Sequence, residues 1–436
     1  MKISKFLDED LVNYASYDNL RKVSSYVDGL KNTSRKILHT VLEKNITTET
    51  KVSQLASKVA EFTEYLHGDC SGVIVSMAQN YPGTNNLPLL AREGQFGTRF
   101  KNEAAASRYI YTQKEKYLDK IFNKEDNKVL IQQEFEGTMI EPRFFVPNLP
   151  LLLINGSMNC ITPGFRQHIL PRNKDELVEY IKLKITGKDV SHLKLEPYFV
   201  NFKGSIKTGE SIGKWCIEGK FVRLSATNLR VTELPVTFDL VGYKKVLQSL
   251  VDAKTINSFK DKSEGDDFNF EISAPLAFTK LSDEKILDKL KLIKKESEQY
   301  NCIDEFNRMR LFEGIHDILD AYIRIKLEYT NKRKNYYLDK LKDKMSEEAS
   351  KYIFIKSIND GQIIITNKTK QEISEQIQAI PRITPRNGSY DYLISIPLYR
   401  ITLDELDKAK DNIMKLKEEY KLISEKTPED IWVQEL

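Results

Sequence analysis

Two apolar seams near the end of the chain limit its folds more than any other feature. Ile315, Ile318, Tyr322, Ile325 and Tyr329 step by three and four residues, with Tyr336 seven beyond Tyr329. Leu406, Ala409, Ile413, Leu416, Tyr420 and Ile423 step in the same alternation. Each set lies on one stripe of a helix, and Lys, Glu and Asp fill most intervening positions. Neither seam reaches four heptads, too few for a long independent coiled coil. The pattern predicts two antiparallel arms that cover one another and carry a globule between Met345 and Arg400. Such a stalk places a dimer contact far from a body.

The remaining length, out of 436 residues, allows further domains of about 150 residues each. Residues 1 to about 120 are turn-rich and helical, and helical periodicity is predicted over AAASRYIYTQKEKYLDKIF, residues 104–122. Between about 125 and 280 the texture is strand-like: PRFFVPNLPLLLING, EPYFVNFKGSI, WCIEGKFVRLS, LRVTELPVTF and FNFEISAPLAF. The expected class is therefore α+β and multidomain.

Composition excludes several functions. Lys plus Arg is 67 and Asp plus Glu is 63, a net +4, unlike a histone-like polycation but compatible with a local basic groove. The longest apolar run, Val146 to Ile154, is broken by Pro147 and Pro150 and is too short for a membrane span. MKISKFLDEDL places acids where a signal peptide needs apolar residues. Cys70, Cys160, Cys216 and Cys302 form no CxxC pair, and the five histidines form no HExxH, so reduced thiols in a cytoplasmic protein are expected.

Three windows carry chemistry. In EAAASRYIYT, Arg108 precedes Tyr109. A phenol, with its pKa near ~10, attacks phosphate only where cations offset the developing charge, and an arginine fork suits that task. Among 21 tyrosines one Arg-Tyr pair does not identify a nucleophile. In DNLRKVSSYVDGLKNTSRKIL, Arg21, Lys22, Lys31, Arg35 and Lys36 gather around an Asp28-Gly29 turn that precedes a helix, whose N-terminus favours anions. In HGDCSGVIVSMAQNYPGTNN, His67 and Gly68 stand just ahead of another helix.

In this order the windows resemble the breakage-reunion portion of type IIA DNA topoisomerases. The matching stretches are DNLRxxxxxVDGLKxxxRKIL, YLHGDxS, AQNYPGTNNLPLLxxxGQFGTR and AAASRYIYT, with EPYFVNFKGSI, VTELPVTF, LDAYIRIKLEYTNKRKNYYL, YDYLISIPLYRIT and TPEDIW further on. GQFGTR and RYIYT are closer in wording to eukaryotic and viral members than to bacterial ones. A separate subunit of this length resembles the medium subunit of T-even type phage members; a core excised from a longer chain is the nearest variant. The resemblance implies a winged-helix breakage-reunion head at 1–125, an α/β tower at 126–285, coiled-coil arms at 286–345 and 401–436, and a dimerising globular gate at 346–400.

It also implies roles. Tyr109 becomes the nucleophile that stays linked to a 5′-phosphate, with Arg108 and Arg21 stabilising the transition state. Asp28, Lys31, Arg35, His67 and Arg99 become residues of the DNA-binding surface. In LLLINGSMNCITPGFRQHILP, anchoring on Ile169 to Pro171 requires one inserted residue and makes Ile161 the wedge between base pairs; an ungapped reading chooses Cys160. The chain departs from the family at Ser24 to Tyr26 and Asn32, where prolines are usual, and before the wedge, where a glycine is usual.

GESIGK at Gly209 to Lys214 lacks P-loop spacing, and neither EGD at Glu264 to Asp266 nor DED at Asp8 to Asp10 sits in a metal-binding context. No metal ligand is thus expected on this chain. The resemblance implies that a partner large subunit holds Mg²⁺ in a toprim module and uses ATP, in a heterotetramer built on a homodimer of this chain through the gate. Its substrate would be double-stranded DNA, in the cytoplasm or nucleoid of a host if phage-encoded. The competing reading is a non-catalytic architectural protein that bends DNA with a winged-helix head.

Overall fold

The computed structural model describes residues 3–211, 213–236 and 238–436. Met1, Lys2, Ile212 and Thr237, which belong to the MKISKFLDEDL, GESIGK and VTELPVTF stretches, lie outside the described residues. Two compact units divide the chain near residue 326.

The first unit opens on helical turns, α1 (Ile3–Lys5), a π segment (Phe6–Leu11) and α2 (Val12–Lys22). Three helices follow: α3 (Asn32–Glu43), α4 (Val52–Thr63) and α5 (Ser71–Ala78). Val52, Leu55, Ala56 and Val59 recur at helical spacing and are buried, and α4 ends where Glu64 turns left-handed at φ +49°. Against the helices lies a three-stranded antiparallel sheet, β1 (Thr50–Lys51), β2 (Leu90–Glu93) and β3 (Tyr111–Lys114), in the order β1-β3-β2. The helix predicted over 104–122 is absent. Ile110 and Thr112 alternate inward as β3 pairs with both neighbours, and only Leu118–Ile121 is helical. Tertiary pairing overrides the helix preference of the alanines.

A hairpin, β4 (Gln132–Phe135) and β5 (Thr138–Pro142), turns at Glu136-Gly137, both with positive φ, as a two-residue turn requires. Beyond it come β6 (Ser157–Thr162), β7 (Phe165–Ile169), β8 (Ser205–Thr208), β9 (Lys214–Glu218), β10 (Lys220–Arg223), β11 (Asn228–Glu233), β12 (Ser258–Asp261) and β13 (Phe270–Ser273). The last three strands, β14 (Ile293–Ser297), β15 (Gln299–Ile303) and β16 (Met309–Leu311), occupy a segment expected to be helical arm. The strands form sheets ordered β10-β11-β13-β12, β14-β9-β8 and β16-β15-β7-β6. The charged run LKLIKKESEQY resembles a solvated helix in composition, but it supplies a strand to the edge of a sheet. Leu292, Cys302 and Ile303 bury there. The arm helix therefore starts at Ile315, not near residue 286.

That helix, Ile315–Asn359, is 45 residues long and also passes the expected arm boundary at 345. In the second unit it runs antiparallel to Leu403–Glu425: Lys334 donates to Ser424 O and Lys426 O at 3.0 and 2.6 Å, while Glu347 and Glu348 lie beside Asn412 and Leu416. Phe354, Ile355, Ile363, Ile373, Ile377, Ile383 and Leu393 form a separate core that closes the tip.

Two buried carboxylates fix the first unit. Asp28 is fully buried and accepts from Leu30 N (3.0 Å), Phe145 N (3.1 Å), Arg35 Nε (2.7 Å) and Arg35 Nη2 (3.1 Å). Gly29, at φ +70°, passes so near Leu152 that a Cβ would lie 2.4 Å from its backbone nitrogen. Glu298 accepts from Leu170 N, the Arg172 guanidinium, Trp215 Nε1 and the Tyr300 hydroxyl at 2.7–3.2 Å. Where prolines would stiffen the segment before Asp28, hydrogen bonds from its backbone amides do so. Ser24 N donates to Gln167 Oε1 (2.9 Å) and Tyr26 N to Ile303 O (3.1 Å).

Removing one member of a buried, hydrogen-bonded ion pair costs about 3–5 kcal/mol, because the other charge is stranded. Asp28→Ala should lose about that much in thermal or urea unfolding of the first unit. Lys421→Ala, at an exposed pair with Glu425, should change stability by less than about 0.5 kcal/mol. Equal midpoints for Asp28→Ala and the parent chain would contradict this account.

Candidate active site

Tyr109 stands on a turn held from two sides. Its N–H donates to Ala106 O at 2.9 Å, and the N–H groups of Val52 and Ser53 donate to Ile110 O and Ser107 O at 3.0 and 3.2 Å. These donors are first-turn amides of α4, which have no partner within their own helix. On the other side Ile110 is buried against Gly94, whose positive φ (+103°) admits the close approach. The turn is therefore clamped between a helix N-terminus and a strand, while Tyr109 itself is 67% exposed. The Arg108 guanidinium carbon lies 4.9 Å from its ring centroid. Among the described residues no hydrogen bond engages the Tyr109 hydroxyl. The pair presents an open phenol beside a permanent cation.

A second cluster forms around a cavity of about 200 Å³ lined by Arg21, Arg35, His67, Arg143 and Tyr17, with Asn32, Gln133 and Asn307 among the others. Arg21 comes from the last turn of α2, and Arg143 from the residue after β5. Neither pairs with a carboxylate among the described residues, so both remain available to an anion. His67 Nε2 is hydrogen-bonded to the Tyr17 hydroxyl, and its ring also packs edge-on against Tyr65, 5.9 Å between centroids. Sequence reasoning missed Arg143 and Tyr17. The first lies inside a strand-like run; only its position at the border of the apolar PRFFVP stretch marks it.

The other expected residues divide between surface and interior. Lys31 precedes α3 and lines a cleft of about 400 Å³ with Ser34, Asn85 and Gly156. Asp28 and Arg35 bind each other, so their work is to hold that turn and helix. Arg99 is also interior: its guanidinium donates to Leu234 O (2.6 Å), Pro235 O (3.1 Å), Pro82 O (3.2 Å) and Glu233 (3.3 Å). The expectation of a DNA contact from Arg99 is corrected accordingly. Burial works against its charge, and Glu233 supports it. Ile161 is 70% exposed near the end of the β6–β7 hairpin, whereas Cys160 is buried and its Sγ points to Lys22 O at 3.1 Å. Tyr109 and Arg108 are not among the residues lining the Arg21 cavity.

Among the described residues no group of three or more His, Cys, Asp or Glu side chains could hold a metal ion. Glu264 and Asp267 form a small bridged turn, and Asp8 to Asp10 lie in the π segment. No described helix is long and apolar enough to cross a membrane.

Comparison with known proteins gives these features a family. The family model for the A-type subunit of DNA gyrase/topoisomerase IV matches residues 21–436. The mitochondrial DNA topoisomerase 2 of Dictyostelium discoideum is 31% identical over 445 residues, covering 99% of this chain and 34% of that protein. DNA topoisomerase 2 of Acanthamoeba polyphaga mimivirus is 28% identical, covering 99% of this chain and 40% of that protein. The crystal structure of the Plasmodium falciparum topoisomerase II DNA-binding, cleavage and re-ligation domain superposes with a TM-score of 0.84 at 27% identity, over 99% of this chain and 63% of that one. The chain thus spans about a third of the length of the Dictyostelium protein. With the family model matching nearly its full length, the chain belongs to the family of DNA gyrase/topoisomerase IV A-type subunits, within the type II DNA topoisomerases.

Proposed function

We propose that this chain cleaves and rejoins double-stranded DNA as the breakage-reunion part of a type IIA topoisomerase. The observation that carries the reading is the exposed Tyr109, with Arg108 beside it, on a turn fixed by α4 and by Gly94 just after β2. The Tyr109 oxygen bonds to phosphorus as the bond to the 3′ oxygen breaks. The phenol gives up its proton and the 3′ oxygen gains one, leaving a 5′-phosphotyrosyl ester. Reversal rejoins the strand, and because the ester conserves the bond energy, resealing needs no ATP. Arg108 and Arg21 offset the charge that develops on the phosphate oxygens. The helices α3 to α5 with their sheet serve as the winged-helix head. Lys31, His67 and Arg143 contact the gate duplex, Ile161 wedges between its base pairs, and Asp28 and Arg35 hold the turn that carries Lys31.

In this proposal two chains form a homodimer through the arm-tip globule, where Tyr399 is 74% exposed in a unit closed by its own apolar core. The two Tyr109 residues then cut opposite strands, and a second duplex passes through. By the family resemblance, Mg²⁺ is assigned to a toprim module and ATP to an ATPase module of a large partner subunit. No step above is routed through either.

With that partner, Mg²⁺ and supercoiled plasmid, detergent trapping should yield protein-linked double-strand breaks. Tyr109→Phe should abolish them, and Arg108→Ala should slow cleavage about 10²–10³-fold. Adducts that persist in Tyr109→Phe would overturn the nucleophile; bent DNA with no adduct from the parent chain would indicate an architectural protein.

DNA binding should weaken steeply with salt, because each neutralised phosphate adds about 0.9 to the slope of log K against log salt. Arg21→Ala and Arg143→Ala should each reduce that slope by about one. An unchanged slope in both variants would remove the cavity from the DNA surface.

A further inference from the structure

The hairpin that presents Ile161 is irregular at one place. Ser157 pairs with Ile169 and Cys160 with Gln167, so β6 advances three residues while β7 advances two. The extra residue forms a β-bulge at Met158 and Asn159, opposite His168. Asn159 is left-handed, at φ +56°. Its N–H donates to Nδ1 of His168 at 3.1 Å.

The bulge decides which side chain faces out. Ser157 is buried, and strict alternation would carry Asn159 and Ile161 inward after it and turn Cys160 outward. The observed order is the reverse: Cys160 is 6% exposed and Ile161 is 70% exposed.

His168 is suited to hold that offset. It is fully buried, and with Nδ1 accepting from Asn159 its ring proton is assigned to Nε2. Nε2 lies 3.2 Å from Glu296 Oε2 on β14, outside good hydrogen-bond geometry but close enough to favour this tautomer. Burial pushes the Glu296 carboxyl up, yet the His168 ring and Lys294 outweigh it and hold it at about 2, so it stays ionised.

We propose that His168 is a positioning residue for Ile161: by accepting the Asn159 N–H at the bulge, it keeps the one-residue offset that turns Ile161 outward and Cys160 inward. The consequence for DNA bending rests on the wedge reading of Ile161; the positioning itself does not.

Three substitutions in the full-length chain separate this role from packing. In His168→Asn the amide oxygen takes the place of Nδ1, so the Asn159 bond is kept. In His168→Gln the polar end takes the place of Nε2, so that bond is lost; in His168→Leu the bond is lost together with the polar group near Glu296. The readout is maleimide labelling of Cys160, mapped by mass spectrometry on folded protein and paired with thermal unfolding. Labelling should rise several-fold in the Gln and Leu variants and remain at the parent level in Asn. Unchanged labelling in Gln and Leu, or an equal rise in all three, would overturn the proposal. Bending of a fluorophore-labelled duplex, measured with Mg²⁺ and the partner subunit, should fall in Gln and Leu as it does in Ile161→Ala. If Ile161→Ala bends DNA normally while labelling follows the expected pattern, the wedge reading fails and the positioning stands.

Discussion

A carboxylate taken out of water costs several kcal/mol unless its oxygens are fully engaged, and this requirement joins the first unit. Asp28 draws donors from its own turn, from α3 and from residue 145; Glu298 draws them from the ends of β7, β9 and β15. These contacts span sequence separations of up to 128 residues. Neither group can be satisfied until the segments have come together. The burial is therefore weak evidence for extra stability and stronger evidence for one specific arrangement. The turn held by Asp28 leads directly to Lys31, and the segment that lends it the Phe145 amide begins at Arg143, both residues of the proposed DNA surface.

The same logic divides the cations. Net charge is only +4, and several arginines with the right spacing for a groove are spent internally: Arg35 on Asp28, Arg99 on Glu233 and main-chain carbonyls, Arg172 on Glu298. Each internal arginine satisfies a buried acceptor cluster. Arg21, Arg108 and Arg143 remain without a carboxylate partner among the described residues. On the proposed function, these are the arginines that meet phosphate. Electrostatic function here depends on which guanidiniums lack an internal partner, and not on how many are encoded.

Much of the site was legible because the motifs are local. The Asp28-Gly29 turn followed by a helix, the helix after His67 and the arm seams all follow from residues within a few positions of one another. Where the sequence misled, the deciding partner was distant. The alanines before Tyr109 favour helix, yet β1 and β2 pair with the strand that follows them. The charged run at 291–299 resembles an exposed helix until β9 is placed beside it. Arg99 reads as a free cation because Glu233 is 134 residues away. Ile161, the residue preferred from the one-residue insertion before Ile169 to Pro171, is the exposed one of the pair, but the bulge that turns it outward is a property of two paired strands.

An exposed isoleucine near a hairpin end has a limited energetic reach. Fully burying such a side chain between bases contributes about 1.5–3 kcal/mol. Parting one base step costs a few kcal/mol. On that comparison the wedge roughly breaks even and cannot bend DNA unaided. On the proposed function, the favourable balance comes from phosphate contacts along the bent duplex, for which Arg21, Lys31 and Arg143 are the proposed donors. Binding dominated by such contacts is sensitive to salt, whereas the direction of the bend depends on where Ile161 points. As proposed, the chain separates affinity, carried by cations without an internal partner, from geometry, carried by a bulged strand held at His168.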